Sequence, residues 1–182
     1  MLPSDRIPNA LTVLRIVLIP VLIISFYIDG VVARYISVGI FVGASLTDYI
    51  DGVLARMWKA ETRFGRILDP VADKMLIAST LLMLVHKDIA PVVPTVAILC
   101  REIFVSGLRE NLAEFKISIP VSRMAKLKTF VQMSSIIILL LGENVVNAAY
   151  ILIIGKIGIW IAACLTIITG YAYLREGFKY IS

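Results

Sequence analysis

Long apolar segments, separated by short polar stretches, follow one another along the chain. A transmembrane helix needs about 20 mostly apolar residues, so this pattern predicts an all-α membrane protein with six spans. The predicted spans lie near residues 10–28, 33–56, 66–86, 92–113, 124–141 and 157–175. Residues 143–156 fit either an extension of the last span or a segment along the membrane interface. With no internal repeat or linker visible, we expect one domain over residues 1–182.

Composition agrees with this pattern. Hydrophobic residues make up 59% of the 182 residues, and the mean hydropathy is +0.92. These values are too high for a soluble domain with a polar surface. The net charge of +5 is not accompanied by interleaved aromatic and basic residues, so nucleic acid is not an expected partner. Two isolated cysteines, Cys100 and Cys164, are expected to be buried, reduced thiols.

Basic residues cluster at alternate connections between the predicted spans. Loops rich in lysine and arginine tend to stay in the cytoplasm. The basic clusters follow the second, fourth and sixth spans, at Arg56, Lys59, Arg63, Arg66, Lys116, Arg123, Lys126, Lys128, Arg175 and Lys179. The opposite connections hold Arg34, Lys87 and, depending on where the last span begins, Lys156. We therefore expect both termini on the cytoplasmic side.

Four aspartates interrupt the apolar pattern within residues 48–73, DYIDGVLARMWKAETRFGRILDPVAD. A carboxylate near membrane depth costs several kcal/mol unless it is compensated, so such acids usually mark a functional site. At about 100° per residue, one helix face carries Asp48, Asp51, Gly52, Ala55 and Arg56, and the next carries Gly65, Asp69 and Asp73. Two acidic faces joined by a short basic loop are predicted to converge on one site.

The composition of this motif predicts a metal-bound phosphate ligand. Oxygen-only ligands favour Mg²⁺ or Mn²⁺, and four carboxylates fit two such ions. The small residues Gly52, Ala55 and Gly65 would let a bulky ligand approach the helices, and the guanidinium of Arg56 suits phosphate oxygens. An alternative applies to Asp69-Pro70, which alone resembles an N-cap followed by proline at the first helical position.

The motif resembles the signature of the CDP-alcohol phosphatidyltransferase family: D-x-x-D-G-x-x-A-R, eight residues, G, three residues, D, three residues, D. The resemblance implies a six-helix membrane fold, usually a homodimer, with two divalent ions bound by the aspartates. It also implies that Asp73 acts as the general base. The positions expected around the cytidine diphosphate group are Gly52, Ala55, Arg56 and Gly65.

Three further segments, Ile7–Arg15, Arg101–Glu110 and Ser122–Met133, are similar to bacterial members of the family that use sn-glycerol 3-phosphate as acceptor. This similarity implies transfer of a phosphatidyl group from CDP-diacylglycerol, with release of CMP. It also implies a multi-pass protein of the bacterial inner membrane, in contact with membrane lipid, whose active site faces the cytoplasm.

Basic residues on the fourth and fifth spans are the candidates for binding the acceptor phosphate. Arg101 and Arg109 lie about 80° apart on one helix face, and Arg123, Lys126 and Lys128 begin the next span. Arginine binds phosphate through two donors, whereas lysine supplies a point charge. Alternatively, the arginines snorkel or pair with Glu102 and Glu110, and the lysines only set topology. Arg15, one turn after Thr12, is a weaker candidate.

Other functions remain open at this stage. Phosphatidylserine, phosphatidylinositol and cardiolipin synthases share the acidic signature and differ in the acceptor. A divalent-cation transporter could also display acids in membrane helices. Transporters, however, tend to place such sites near the midplane and in repeated halves, which disfavours that alternative here.

Overall fold

A computed structural model describes residues 3–58, 63–114, 122–142 and 148–181; within these ranges, the side chains of residues 3–9, 48–58, 63–64, 66–67, 114 and 178–181 are not described. The described residues form six α-helices and no strand, which confirms the all-α prediction. The helices are α1 (Pro3–Ser25), α2 (Val31–Trp58), α3 (Arg63–His86), α4 (Val92–Glu114), α5 (Arg123–Leu141) and α6 (Ala148–Ile181).

The helix bounds resolve the ambiguous stretch near the C-terminus. Because α6 begins at Ala148, residues 148–156 extend the last helix, while residues 143–147 lie outside the described part of the chain. The first helix begins earlier than predicted, at Pro3, and ends at Ser25. Two turn residues follow Ser25. The amides of Phe26 and Tyr27 donate to the carbonyl oxygens of Ile23 and Ile24, three residues earlier, instead of four residues earlier as in an α-helix.

The N-cap interpretation of Asp69-Pro70 is wrong. The third helix already begins at Arg63, so Pro70 lies inside it. Proline lacks the amide that would bond to the carbonyl of Arg66 one turn earlier, and membrane helices tolerate such breaks where neighbouring groups satisfy the backbone. Asp69 is therefore an interior helical residue whose carboxylate is available for other contacts.

Among the residues whose side chains are described, two helical segments are long and apolar enough to cross a membrane by length and composition alone. These segments are Arg123–Leu141 and Ala148–Gly177. Shorter apolar segments, Ala10–Ser25 and Val31–Thr47, lie within α1 and α2. The charged residues in α3 and α4 lower their hydropathy, and these same residues form the candidate sites described below.

The chain divides into two compact units. In unit 1, Met1–Met83, α1 packs against α2. The Ser25 and Ser37 hydroxyls form a buried hydrogen bond of 2.6 Å between these helices. Leu22 on α1 and Phe41 on α2 are fully buried, so apolar packing accompanies the polar contact.

In unit 2, Leu84–Ser182, α6 packs against both α4 and α5. Glycine permits this approach: a Cβ at Gly158 would overlap the Ser135 side chain, and one at Gly155 would lie 2.5 Å from Leu139 Cδ2. Small residues let membrane helices pack closely. Gly39 and Gly43 on α2 have the spacing of such a packing motif, but a Cβ at either would meet no described atom within 4 Å.

The two cysteines are free thiols, as predicted, but both are exposed. Cys100 lies on α4 and Cys164 lies on α6. These two helices pack against each other. Their prediction as buried residues failed because an apolar residue of a membrane protein can face outward, where lipid takes the place of a protein neighbour.

Candidate functional site

The acidic motif occupies the end of α2 and the first half of α3. The backbones of Asp48 and Asp51 belong to α2, but the side chains of the α2 motif positions, Asp48, Asp51, Gly52, Ala55 and Arg56, lie outside the described part of the structure. The α3 positions Gly65, Asp69 and Asp73 are described. Gly65 is buried.

Asp69 and Asp73 are one turn apart on α3, and both are half-buried. Residues at i and i+4 are neighbours on a helix surface, so the two carboxylates lie on one face, as predicted. The Thr12 hydroxyl of α1 donates a hydrogen bond to Asp69 Oδ1. Because Thr12 is only 1% exposed, this contact fixes the Asp69 carboxylate from within unit 1.

Arg15 connects α1 to the other motif helix. It lies one turn after Thr12, is 1% exposed, and its Nε donates to the Ala44 carbonyl oxygen at 3.3 Å. Ala44 is one turn before Asp48 on α2. One face of α1 thus contacts both helices that carry the aspartates. Thr12 was not among the predicted site residues. It could have been suspected because Thr12 and Arg15 are two polar residues one turn apart in an otherwise apolar helix.

The described carboxylates fit a hard divalent cation. Asp69 and Asp73 offer oxygen donors from adjacent turns, which is the donor chemistry that Mg²⁺ and Mn²⁺ prefer. Among the described side chains, no group of three or more His, Cys, Asp or Glu residues gathers. The described part of the site therefore contains two of the four carboxylates that are predicted to bind the metal ions.

A second polar cluster lies inside unit 2. Arg101 Nη1 on α4 donates to Glu102 Oε1 at 3.1 Å, and Arg101 Nη2 donates to Thr169 Oγ1 on α6 at 3.1 Å. The guanidinium also lies over the Tyr173 ring, 5.8 Å from its centroid, within the range of a cation–π interaction. Lys128 on α5 donates to the same Glu102 Oε1. We call Arg101, Glu102 and Lys128 the bridged cation cluster.

The bridged cation cluster lies on apolar helices, where Lys128 is buried and Arg101 and Glu102 are half-buried. The Lys128 side chain is 4% exposed, so Lys128 is not a solvent-exposed loop residue that merely sets topology. The expected alternative for Arg101, a pair with Glu102, does occur. Buried charges must be paired to be tolerated, and intramembrane charges are functional candidates by default.

An open groove lies beside Arg101 at the surface of α4 and α6. The groove has a volume of about 520 Å³ and is lined by Arg101 and mainly by apolar residues, among them the exposed Phe104 and Ile167. Arg101 Nε is buried and has no hydrogen-bond partner among the described residues. A Cβ at Gly170 would lie 3.0 Å from Arg101 Cγ, so glycine leaves room for this side chain.

The other predicted acceptor residues are not part of this cluster. Arg109, Arg123 and Lys126 are all exposed. Glu110, the expected alternative partner of Arg109, instead accepts a hydrogen bond from Ser106 Oγ at 3.3 Å. Thr169 and Tyr173, one turn apart on α6, were not predicted. Polar groups within an apolar segment could have drawn attention to these two residues. The sequence does not, however, identify Arg101 on α4 as their partner.

Comparisons with known proteins identify the family. The sequence model of the family described as CDP-alcohol phosphatidyltransferase matches residues 5–168. A protein of Rickettsia felis is 50% identical over 177 residues, covering 97% of this chain and 98% of the relative. A protein of Yersinia enterocolitica is 40% identical over 180 residues, with 96% of each chain covered. Both bear the name CDP-diacylglycerol–glycerol-3-phosphate 3-phosphatidyltransferase.

The family match includes both the acidic motif of unit 1 and the bridged cation cluster of unit 2. Together with the apolar helices it indicates a membrane protein. The signature predicted from the spacing of the aspartates is thus confirmed at the level of the family. The chain belongs to the CDP-alcohol phosphatidyltransferase family, whose members are transferases that generally use divalent cations.

Proposed function

We propose that this protein transfers the phosphatidyl group of CDP-diacylglycerol to sn-glycerol 3-phosphate, producing phosphatidylglycerophosphate and CMP. The observation that carries this proposal is full-length similarity, at 50% identity, to a relative named for this activity. The bridged cation cluster supports it, because the half-buried Arg101 and the buried Lys128 suit an acceptor that bears a phosphate group.

Other acceptors explain the bridged cation cluster less well. Serine carries no phosphate, so phosphatidylserine synthesis gives no reason for the two cations Arg101 and Lys128 at this place. Phosphatidylinositol or cardiolipin synthesis would use the same donor chemistry and is distinguished by product analysis. Membership in a transferase family argues against the divalent-cation transporter considered from sequence alone.

The donor site is assigned to the acidic motif. Asp48, Asp51, Asp69 and Asp73 would hold two divalent ions, Mg²⁺ or Mn²⁺. When bound, these ions neutralise the charge of the diphosphate and of the leaving CMP. Small and cationic side chains would surround the cytidine diphosphate group, at Gly52, Ala55, Arg56 and Gly65.

The proton transfer is assigned to Asp73. As the C1 hydroxyl of glycerol 3-phosphate attacks the phosphorus that bears the diacylglycerol, Asp73 accepts the hydroxyl proton and the bond to CMP breaks. Thr12 would hold the Asp69 carboxylate in orientation through the hydrogen bond to Oδ1. Most of the acceleration should come from positioning and charge stabilisation, because the reaction needs no covalent intermediate.

The acceptor phosphate is assigned to the basic residues of α4 and α5. Arg101 and Lys128 would bind it directly, and the unpartnered Arg101 Nε offers one donor. The exposed residues Arg109, Arg123 and Lys126 would attract the dianion to the site.

The membrane arrangement is part of the same proposal. The apolar segments support six spans over a single domain of residues 1–182. The alternating basic clusters support a cytoplasmic location of both termini and of the active site. The bacterial inner membrane is what the family resemblance implies. A homodimer, and contact with membrane lipid through the outward apolar faces, follow from the family resemblance.

The proposal is tested by CMP release from CDP-diacylglycerol by the purified protein in detergent. We expect release to require both a divalent cation and glycerol 3-phosphate, and to stop when EDTA is added. Equal release with and without glycerol 3-phosphate would mean that the acceptor is assigned incorrectly.

Replacing Thr12 by valine is expected to lower kcat about tenfold, because a hydrogen bond to a charged group contributes roughly 1.5–3 kcal/mol. Valine preserves the shape of threonine, so the helices should still pack. The measurement is kcat for CMP release with saturating substrates. Thr80→Val is the matched control: Thr80 is buried on α3, and its hydroxyl donates to the Leu76 carbonyl of the same helix. A similar loss in both variants would contradict a specific role for Thr12.

A further inference from the structure

Glu102 occupies a position between two cations that belong to different helices. Its Oε1 accepts hydrogen bonds both from Arg101 Nη1 on α4 and from Lys128 on α5. The three side chains are 13% (Arg101), 20% (Glu102) and 4% (Lys128) exposed. Two cations and one carboxylate leave a single net positive charge, and the carboxylate is the most exposed member of the cluster.

The two cations differ in what holds them. Arg101 is anchored independently of Glu102, by the hydrogen bond to Thr169 and the contact with the Tyr173 ring. Its guanidinium can therefore keep its place when Glu102 moves. Lys128 is nearly fully buried, and moving a carboxylate away from a buried cation is costly. An incoming anion offsets this cost when it takes the place of Glu102 beside Lys128.

We propose that Glu102 is a positioning residue that neutralises Arg101 and Lys128 in the absence of acceptor and is displaced from them by the acceptor phosphate. This inference rests on the proposed function, in which the two cations bind the phosphate of glycerol 3-phosphate. An acceptor must then carry enough negative charge to replace a carboxylate, which a neutral polyol or a zwitterionic amino acid does not. Glu102 would lower the affinity for the acceptor and raise the selectivity for a phosphate dianion.

The variant Glu102→Gln tests this inference, because glutamine keeps the shape and the accepting oxygen but removes the negative charge. We expect the KM for glycerol 3-phosphate to fall about fivefold, since the dianion no longer competes with a carboxylate. The kcat should change by less than about twofold, and inorganic phosphate should inhibit at correspondingly lower concentration.

A binding measurement provides a second readout that does not need turnover. In thermal unfolding of the purified protein, Glu102→Gln should have a lower Tm than the wild type without ligand, because the negative charge of Glu102 beside the buried Lys128 is removed. It should gain more in Tm from inorganic phosphate or glycerol 3-phosphate, because the anion restores that charge. A purely structural role for Glu102 would lower the Tm without a larger gain from phosphate.

Two further variants complete the test. Glu110→Gln makes the same change on the same helix at an exposed position that bonds to Ser106, and should leave the KM and the phosphate effect unchanged. Glu102→Asp keeps the charge and should retain a KM within about twofold of the wild type. A raised or unchanged KM in Glu102→Gln, or equal stabilisation of wild type and variant by phosphate, would overturn the inference.

The two proposals fail in different ways. If wild-type protein did not convert glycerol 3-phosphate, the proposed function would fail, while the stabilisation by inorganic phosphate would still decide whether an anion displaces Glu102. If the wild type converted glycerol 3-phosphate but Glu102→Gln gained nothing in affinity, the function would hold and only the role of Glu102 would be rejected.

Discussion

Replacing Asp73 by asparagine is expected to abolish phosphatidyl transfer and leave the fold intact. Asparagine has nearly the same volume as aspartate, so the half-buried position on α3 should remain filled. It cannot accept the proton of the attacking hydroxyl and is a weaker cation ligand. General base catalysis typically contributes about 100- to 10,000-fold, so kcat for CMP release should fall by at least this range. Thermal unfolding and size-exclusion elution in detergent report the fold.

The matched control for this prediction is Asp88→Asn. Asp88 is exposed between α3 and α4 and has a φ of 58°, a left-handed conformation that asparagine also adopts readily. Its activity should equal that of the wild type. Near-normal turnover in Asp73→Asn would reject Asp73 as the base, and a loss of the folded protein would show a structural role instead.

Replacing Arg101 by alanine is expected to raise the KM for glycerol 3-phosphate about 10- to 100-fold, as for the loss of a partly buried charge-assisted contact. Two effects combine. The guanidinium donors disappear, and the remaining pair of Glu102 and Lys128 has no net charge to attract a dianion. The KM for CDP-diacylglycerol should change far less, because this substrate is assigned to the acidic motif. Steady-state kinetics with each substrate varied in turn measures both values.

Two variants show what the acceptor requires. Arg101→Lys keeps the positive charge but loses the planar pair of donors, so its KM for glycerol 3-phosphate should lie between wild type and alanine. Arg109→Ala should also raise this KM more than the KM for CDP-diacylglycerol. Its effect should be smaller than that of Arg101→Ala, since Arg109 is exposed and solvent screens its charge. Equal effects on both substrates would contradict an acceptor role for either arginine.

The sequence predicted correctly those features that depend on the spacing of nearby residues, namely the helices and the residues that share a helix face. The six apolar segments correspond to six helices, and the i and i+4 spacing of Asp69 and Asp73 places them on one helix face. Spacing alone could not decide whether Asp69-Pro70 begins a helix. The answer depends on residues 63–68, which form two turns before the proline despite their charges and the glycine at position 65.

Contacts between helices were predicted less well. Thr12 meets Asp69 across 57 positions of the chain, and Arg101 meets Thr169 across 68. Each side chain has many possible partners until the packing of helices is known. The glycines show the same limit: Gly39 and Gly43 have the spacing of a packing motif, yet Gly155 and Gly158 are those that bring two described helices together. Sequence thus identifies the cations of the bridged cation cluster but not the bridging role of Glu102.

The most direct test of the account is a competition between acceptors. Purified protein receives CDP-diacylglycerol, a divalent cation, and equimolar glycerol 3-phosphate, serine, inositol and phosphatidylglycerol in one reaction, and mass spectrometry identifies the lipid products. We predict that phosphatidylglycerophosphate forms in molar balance with CMP and accounts for nearly all of the product. Phosphatidylserine, phosphatidylinositol or cardiolipin as the main product would contradict the assigned acceptor.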